Sequence, residues 1–384
     1  MRRALVGFLV LGFFLVGGLV LAQEAAPYQP DRPWESIDIA IVLDTSGSMQ
    51  PLLDAARLKL WEIINDLAEA EPTPHVRVAF LTYGHLMRRP EDTWVKVWTP
   101  FTDNLDLVSQ RLFEAKISGD TEYVARVLDV AFRQLEWTES DDALRLLFVV
   151  GNEAADQDPV LTLEDVGQDA IQRGIVVNAI FCGSHKVATA RSWMRLAEAS
   201  GGNFATIDHR RNVAMVGSPF DKELVQLSEA INQTYLPLGL RGQEGRIAQA
   251  AQDRRALKLD LAAAATRAQT KASVLYITSW DLLSALESGE LSLAELAEEE
   301  LPEEMRLMGP QERVVYIEDT LVQREELRQR IHELSRERRR YVAEVARRNR
   351  TDTTMSFDTA IRKAIRQHAT DKGFSFPEEE RDEE

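Results

Sequence analysis

Two hydrophobic patterns alternate along the first 235 positions of the chain. The segments Ile37–Leu43, Leu146–Val150 and Ile175–Phe181 are apolar at nearly every position and rich in β-branched residues, the pattern of strands buried on both faces. Between them apolar residues recur every three or four positions, first at Leu52, Leu53, Ala56, Leu60, Ile63, Ile64 and Leu67, which predicts a helix that Glu71-Pro72-Thr73-Pro74 stops. Val76–Tyr83 and Trp94–Phe101 read as strands, and the short link through Arg88-Arg89-Pro90-Glu91-Asp92 predicts a hairpin. Further helices are expected over Leu105–Phe113, Val124–Leu135, Leu161–Gln172 and Ser192–Ala199, then a short strand Asn203–Ile207 and a closing helix Leu224–Tyr235. This alternation predicts an α/β fold with a doubly wound, mainly parallel sheet covered on both faces, whose ligands bind beyond the carboxyl ends of the strands.

After Leu238-Gly239-Leu240 the pattern becomes helical throughout, with Ala, Glu, Arg and Leu dominant. One helix is expected over Ile247–Gln269, its apolar face continued by Val274-Leu275-Tyr276 into Trp280–Leu286. Another is expected over Ser292–Glu300, and a long one opens at Pro310. In the long helix Leu327, Ile331, Leu334, Tyr341 and Val345 follow alternating spacings of four and three, with Arg338 at the one polar seam position. That is a coiled-coil-like seam, suited to folding back on the 247–269 helix or to pairing with a second subunit through residues 310–350. The expected division is a signal peptide 1–22, a linker 23–34, an α/β domain 35–236, a separable helical domain 237–370 and a disordered acidic tail 371–384.

Composition narrows the function. A hydrophobic content of 45% excludes wholesale disorder, and a formal charge of −17 argues against nucleic acid as a partner. Arg2 and Arg3 precede an apolar run ending in Val20-Leu21-Ala22, which predicts export with cleavage after Ala22, to the periplasm or the medium; the alternative is an uncleaved membrane anchor. Cys182 is the only cysteine, so no intramolecular disulfide forms and a buried, inert thiol is expected. From Arg324 to Arg350 ten arginines face five glutamates. They read either as a patch for an anionic partner such as a membrane or envelope surface, or as a solvated face with pairs such as Arg340/Glu344 and Glu344/Arg348. The six histidines form no metal-ligand spacing, and neither a Gly-x-Ser-x-Gly turn nor a phosphate-cradling loop occurs.

The candidate chemistry lies where the first strand ends. Asp44, Ser46 and Ser48 sit two apart around Gly47, so one turn can aim three hard oxygen donors at a small cation. The plainer reading is a strand-to-helix turn in which Ser46 or Ser48 caps the helix. Asp44-Thr45-Ser46-Gly47-Ser48-Met49 resembles the metal-ion-dependent adhesion site of von Willebrand factor A domains, in the form common among bacterial members, and the resemblance extends over roughly Glu35 to Tyr235. Gly119-Asp120-Thr121 is similar to the loop in which the family places a metal-binding threonine, so Thr121 is the matching residue. Where the family has an aspartate after the central strand, this chain has Asn152 in Gly151-Asn152-Glu153. The site is degenerate in that respect, with Asp120 a candidate to restore the charge.

The resemblance implies binding rather than catalysis. Asp44, Ser46, Ser48, Thr121, Asp120 and Asn152 would hold Mg²⁺, with Mn²⁺ or Ca²⁺ as substitutes, and the ion would take a carboxylate from an Asp or Glu of a protein partner. The chain would then be a non-enzymatic, exported adhesion or scaffold protein. One alternative is a structural helical-assembly protein with a vestigial metal site. A remote one is an aspartic protease, since Asp44-Thr45-Ser46-Gly47 also resembles the aspartate turn of that class; it requires a second such turn, which the chain lacks, or a homodimer, and a mostly β architecture. The stretches around Trp280-Asp281-Leu282-Leu283 and Phe357-Asp358-Thr359-Ala360-Ile361 look similar to carboxyl-terminal regions of secreted bacterial A-domain proteins and imply no activity.

Overall fold

The computed structural model describes residues 36–84, 94–119, 121–208, 215–289, 291–348 and 356–377. The expected leader 1–22, linker 23–34, hairpin turn 88–92 and the end of the acidic tail lie outside them. Six strands form one sheet: β1 (Ser36–Asp44), β2 (His75–Tyr83), β3 (Val95–Thr102), β4 (Leu144–Gly151), β5 (Ile175–Cys182) and β6 (Phe204–Ile207). Their order is β3-β2-β1-β4-β5-β6, parallel except for β3, which pairs antiparallel with β2 as the short link predicts. β1 is buried at all nine positions because alternate residues enter two different cores. Ile37, Ile39, Ile41 and Leu43 face one core, while Ala40 and Val42 face the other.

On the first face lie α1 (Gln50–Leu67) and α2 (Leu105–Glu114); on the second lie α3 (Val124–Gln134), α4 (Leu163–Gln172) and α5 (Ala190–Ala199). Side-chain caps fix two of the starts: Asn104 accepts from Leu107 N ahead of α2, and Thr162 from Asp165 N ahead of α4. The remaining helices are α6 (Asp221–Asn232), α7 (Gly239–Leu259), α8 (Leu261–Ala272), α9 (Leu282–Glu287), α10 (Pro310–Arg348) and α11 (Phe357–Asp371).

The helix that completes the sheet is not the expected one. Leu224 and Ile231 of α6 are buried against α8 and α10, in a core with Ala265, Ala268, Ile331 and Leu334. The first face is closed instead by α11, whose Phe357, Ile361, Ile365 and Ala369 join the core of α1, β4 and β6. The chain continues past α11 in order: Phe374 is buried, and Glu71 and Ser375 exchange backbone hydrogen bonds of 2.8 Å in each direction. The expected disordered tail therefore does not begin at 371; Phe374 has apolar surface to bury and the strand-like pairing satisfies the backbone around it.

The boundary expected at 236–237 coincides with no gap in packing. Arg267 of α8 donates to Asp106 of α2 and to Asp253 of α7, both at 2.6 Å, and its guanidinium lies 4.7 Å from the Trp61 ring centroid. Tyr276 Oη donates to Asp106 at 2.6 Å, and Asn65 of α1 bonds Thr266 O and Thr270 Oγ1. α1 is thus covered by the sheet on one side and by α8 and α11 on the other, which is why Lys59, Asn65 and Asp66 are buried with its leucines.

Three other expectations change. The single helix over 247–269 is broken at Asp260, whose extended backbone and side chain, accepting from Ala262 N, end α7 and cap α8. Residues 274–280 form turns and irregular chain instead of extending a helix, and α9 starts afresh after Asp281, which caps it by accepting from Ser284 N. Within 292–300 the only helical piece is a single 3-10 turn, Leu293–Glu295. In α10 the seam residues Ile331 and Leu334 pack on α6 and α8, and the polar seam position Arg338 pairs with buried Asp221 at 2.8 Å. Arg324 is also buried, donating to Asp281 and Thr234, so part of the arginine-rich stretch serves the interior. No helix among the described residues is long and apolar enough to cross a membrane.

Candidate metal centre

β1 is where the chain order reverses: β2 and β3 lie to one side of it and β4, β5 and β6 to the other. The crevice beyond the carboxyl ends of β1 and β4 is therefore the switch point at which such sheets bind ligands. Asp44 ends β1 fully buried, and its Oδ1 accepts from Ser46 N at 2.7 Å, folding the loop back on the carboxylate. Met49, also fully buried, closes the turn through Met49 N to Ser46 O at 3.0 Å. Ser46 is buried and Ser48 exposed, and neither hydroxyl caps α1, whose start has no side-chain cap. The plainer reading of the two serines is thereby removed.

Two other loops reach this turn. After β4, Asn152 Nδ2 donates to Ser48 Oγ at 2.9 Å, leaving Asn152 Oδ1 buried with no hydrogen-bond partner. Ahead of α3, Ser118 N donates to Thr45 O at 2.8 Å, which docks the segment carrying half-buried Thr121 onto the Asp44 loop. Thr45 in turn bonds Tyr83 O, and Tyr83 Oη donates to Val150 O at 3.0 Å, tying β2 to β4 beneath the site. Gly151 permits that last bond, since a Cβ there would lie 2.2 Å from Tyr83 Oη. Asp44, Ser46, Ser48 and Asn152 thus lie on turns that meet, with Thr121 in the adjoining loop. Asp120 lies outside the described residues.

Glu122 escaped the sequence reading. It follows Thr121 directly and is only 7% exposed. A Cβ on Gly84, which adopts φ +87°, would lie 3.1 Å from Asp44 Oδ1 and 3.7 Å from Glu122 Cγ, so both side chains converge on the space that this glycine leaves open. The only signal in the sequence was a second carboxylate adjoining a candidate ligand, at the start of an expected helix. Burial, opposed by the hydrogen bond from Ser46 N, pushes the Asp44 carboxyl up to about 6. Burial and the neighbouring Asp44 charge push Glu122 up to about 8. Neither has an ion-pair partner among the described residues.

Four buried oxygens in this crevice lack a hydrogen-bond partner: Asp44 Oδ2, Ser46 Oγ, Glu122 Oε2 and Asn152 Oδ1. Unpaired buried acceptors cost free energy, and carboxylates without a counter-charge cost most. All four are hard oxygen donors, the set that suits Mg²⁺, Ca²⁺ or Mn²⁺. The residues present therefore fit a divalent cation. No three His, Cys, Asp or Glu cluster together among the described residues, so the donors here are two carboxyl groups with hydroxyl and amide oxygens. Cys182 is buried, and burial together with the Asp44 charge raises its thiol well above the ordinary range, as an inert thiol requires.

The family model for the von Willebrand factor type A domain matches residues 38–213. No curated protein matches the chain. Among solved structures, proximal thread matrix protein 1 from the mussel byssus, with a zinc-occupied MIDAS motif, is 16% identical over 44% of this chain and 41% of its own, with a TM-score of 0.33. A von Willebrand factor type A protein from Catenulispora acidiphila is 16% identical over 46% and 39%, with a TM-score of 0.35. The match thus spans about two fifths of the length of these proteins.

Proposed function

We propose that the chain is a non-enzymatic binding protein that uses a divalent cation in the β1/β4 crevice to take a carboxylate from an Asp or Glu of a protein partner. The observation that carries this reading is the set of four unpartnered buried oxygens at the switch point. Asp44 would supply charge from beneath, Ser46 and Ser48 neutral hydroxyls, Thr121 a hydroxyl from the adjoining loop, and Asn152 would hold Ser48 in position through its 2.9 Å hydrogen bond. The bound ion supplies a Lewis-acidic position that a carboxylate oxygen can complete. Mg²⁺ suits the donor set, with Mn²⁺ or Ca²⁺ as substitutes. Type A domains mediate protein–protein interactions, and the match over residues 38–213 supports the same use here. The mainly parallel sheet is unlike the mostly β architecture that the protease reading needs.

We place this function outside the cytoplasm on the strength of the leader-like residues 1–22. Calorimetric titration of the full chain with Mg²⁺ and Mn²⁺ tests the metal site. Wild type should bind and Asp44→Ala should not, while its circular dichroism spectrum stays unchanged. A wild-type protein silent at millimolar ion would favour the vestigial-scaffold alternative.

A further inference from the structure

Asn152 removes a negative charge from the loop after β4, and the structure shows a carboxylate entering the same crevice from another loop. Glu122 is carried by the segment that Ser118 N fastens to Thr45 O, so its backbone position is fixed relative to Asp44. Its side chain is turned inward instead of toward the surrounding water. Asp44 Oδ2 and Glu122 Oε2 are each buried without a partner, on side chains that approach the same Gly84 position.

Two carboxyl groups brought together with no ion-pair partner among the described residues are costly to ionise together, and the fold gains nothing from that arrangement by itself. The segment between α2 and α3 instead holds Glu122 at only 7% exposure. A divalent cation changes the balance: one carboxylate leaves a net positive centre, whereas two neutralise it and satisfy both orphaned oxygens. From this geometry we propose that Glu122 is a charge-supplying ligand of the metal site, replacing from the α3 side the negative charge that Asn152 withholds on the β4 side. The proposal rests on the metal-binding reading above and gives it a specific consequence. Such a centre retains its ion more firmly than one built on Asp44 alone, and it attracts an incoming carboxylate less strongly, so the partner must add contacts of its own around the crevice.

The test uses the full chain and Mn²⁺ alone, with affinity from calorimetry and occupancy from electron paramagnetic resonance. Glu122→Gln keeps the shape and removes the charge; it should weaken Mn²⁺ binding about 10- to 100-fold, the scale on which residues supporting a metal shell act. Asn152→Asp added to Glu122→Gln returns a charge from the other loop and should recover most of that loss. Without metal, Glu122→Gln should melt no lower than wild type, since it removes a buried acid from beside Asp44, and a residue with a merely structural role would give the opposite. Should Glu122→Gln fail to fold, Glu122→Asp, one methylene shorter, should fold and bind Mn²⁺ more weakly. Glu122→Gln binding within twofold of wild type, or Glu122→Asp doing so where that variant stands in, would overturn the proposal while leaving the metal reading intact. A wild-type protein that binds no Mn²⁺ at millimolar concentration would overturn both.

Discussion

Replacing Ile361 by alanine should loosen the α/β sheet, although the residue lies in the last helix of a stretch that reads as a separate helical half. Ile361 is fully buried in the core formed by α1, β4 and α11, one turn from Ile365, which is 1% exposed. Truncating a fully buried isoleucine costs about 2–5 kcal/mol, and the upper half applies where the surroundings cannot collapse. Here the walls of the cavity would be a β-sheet and a helix held on two sides, so about 3–4 kcal/mol is expected. The assay is equilibrium urea denaturation, paired with amide exchange read on the β4 peptide Leu144–Gly151. Leu307→Ala is the control, because Leu307 is 97% exposed and its truncation should change stability by less than about 0.5 kcal/mol. If Ile361→Ala behaves like this control and β4 exchange is unchanged, α11 does not close the sheet.

Arg338→Leu would complete the apolar seam of α10, yet it should destabilise by about 3 kcal/mol because it leaves Asp221, whose side chain is only 2% exposed, with hydrogen bonds from Ser218 but without its counter-charge. A double-mutant cycle with Asp221→Asn should recover part of the loss, and a seam that gains stability from leucine would refute the pairing. Burial alone would raise the Asp253 carboxyl, but Arg267 and Lys271 outweigh it and hold it at about 2, below the ordinary 3.8. Since the folded value is the lower one, this stabilisation, about 2 kcal/mol, is present above pH 4 and is lost as pH falls toward 2. The stability difference between wild type and Asp253→Asn should therefore shrink by about that amount between pH 5 and pH 2, and a constant difference would refute it.

The strands were legible because runs such as Ile37–Leu43 have no polar face to offer solvent, and the chemistry of Asp44, Ser46 and Ser48 was legible in their spacing. The helices of the second half could be outlined but not docked. Periodicity marks the apolar face of a segment such as Phe357–Asp371 and is silent on which surface that face meets, so α6 and α11 exchanged roles. Asp260 was hidden by the alanine-rich continuation after it, where a cap and an interior residue look alike. Glu122 was hidden for a related reason: burial of a carboxylate is decided by a neighbouring loop and a glycine far away in the chain. Counting arginines likewise could not separate buried Arg324 and Arg338 from those on the surface.

The position of α11 has a consequence for the order in which the protein can be made. About 150 residues separate β6 from α11, which at roughly 5–20 residues per second is on the order of ten seconds of synthesis. For most of that interval the six strands are already outside the ribosome, while the apolar surface that Ile361 and Ile365 will cover has no occupant. The nascent chain must therefore be held by a chaperone, or remain loosely collapsed, until its closing segment arrives. A chain cut short anywhere before Phe357 keeps that surface open for good, and quality-control proteases would find truncated products easy to recognise.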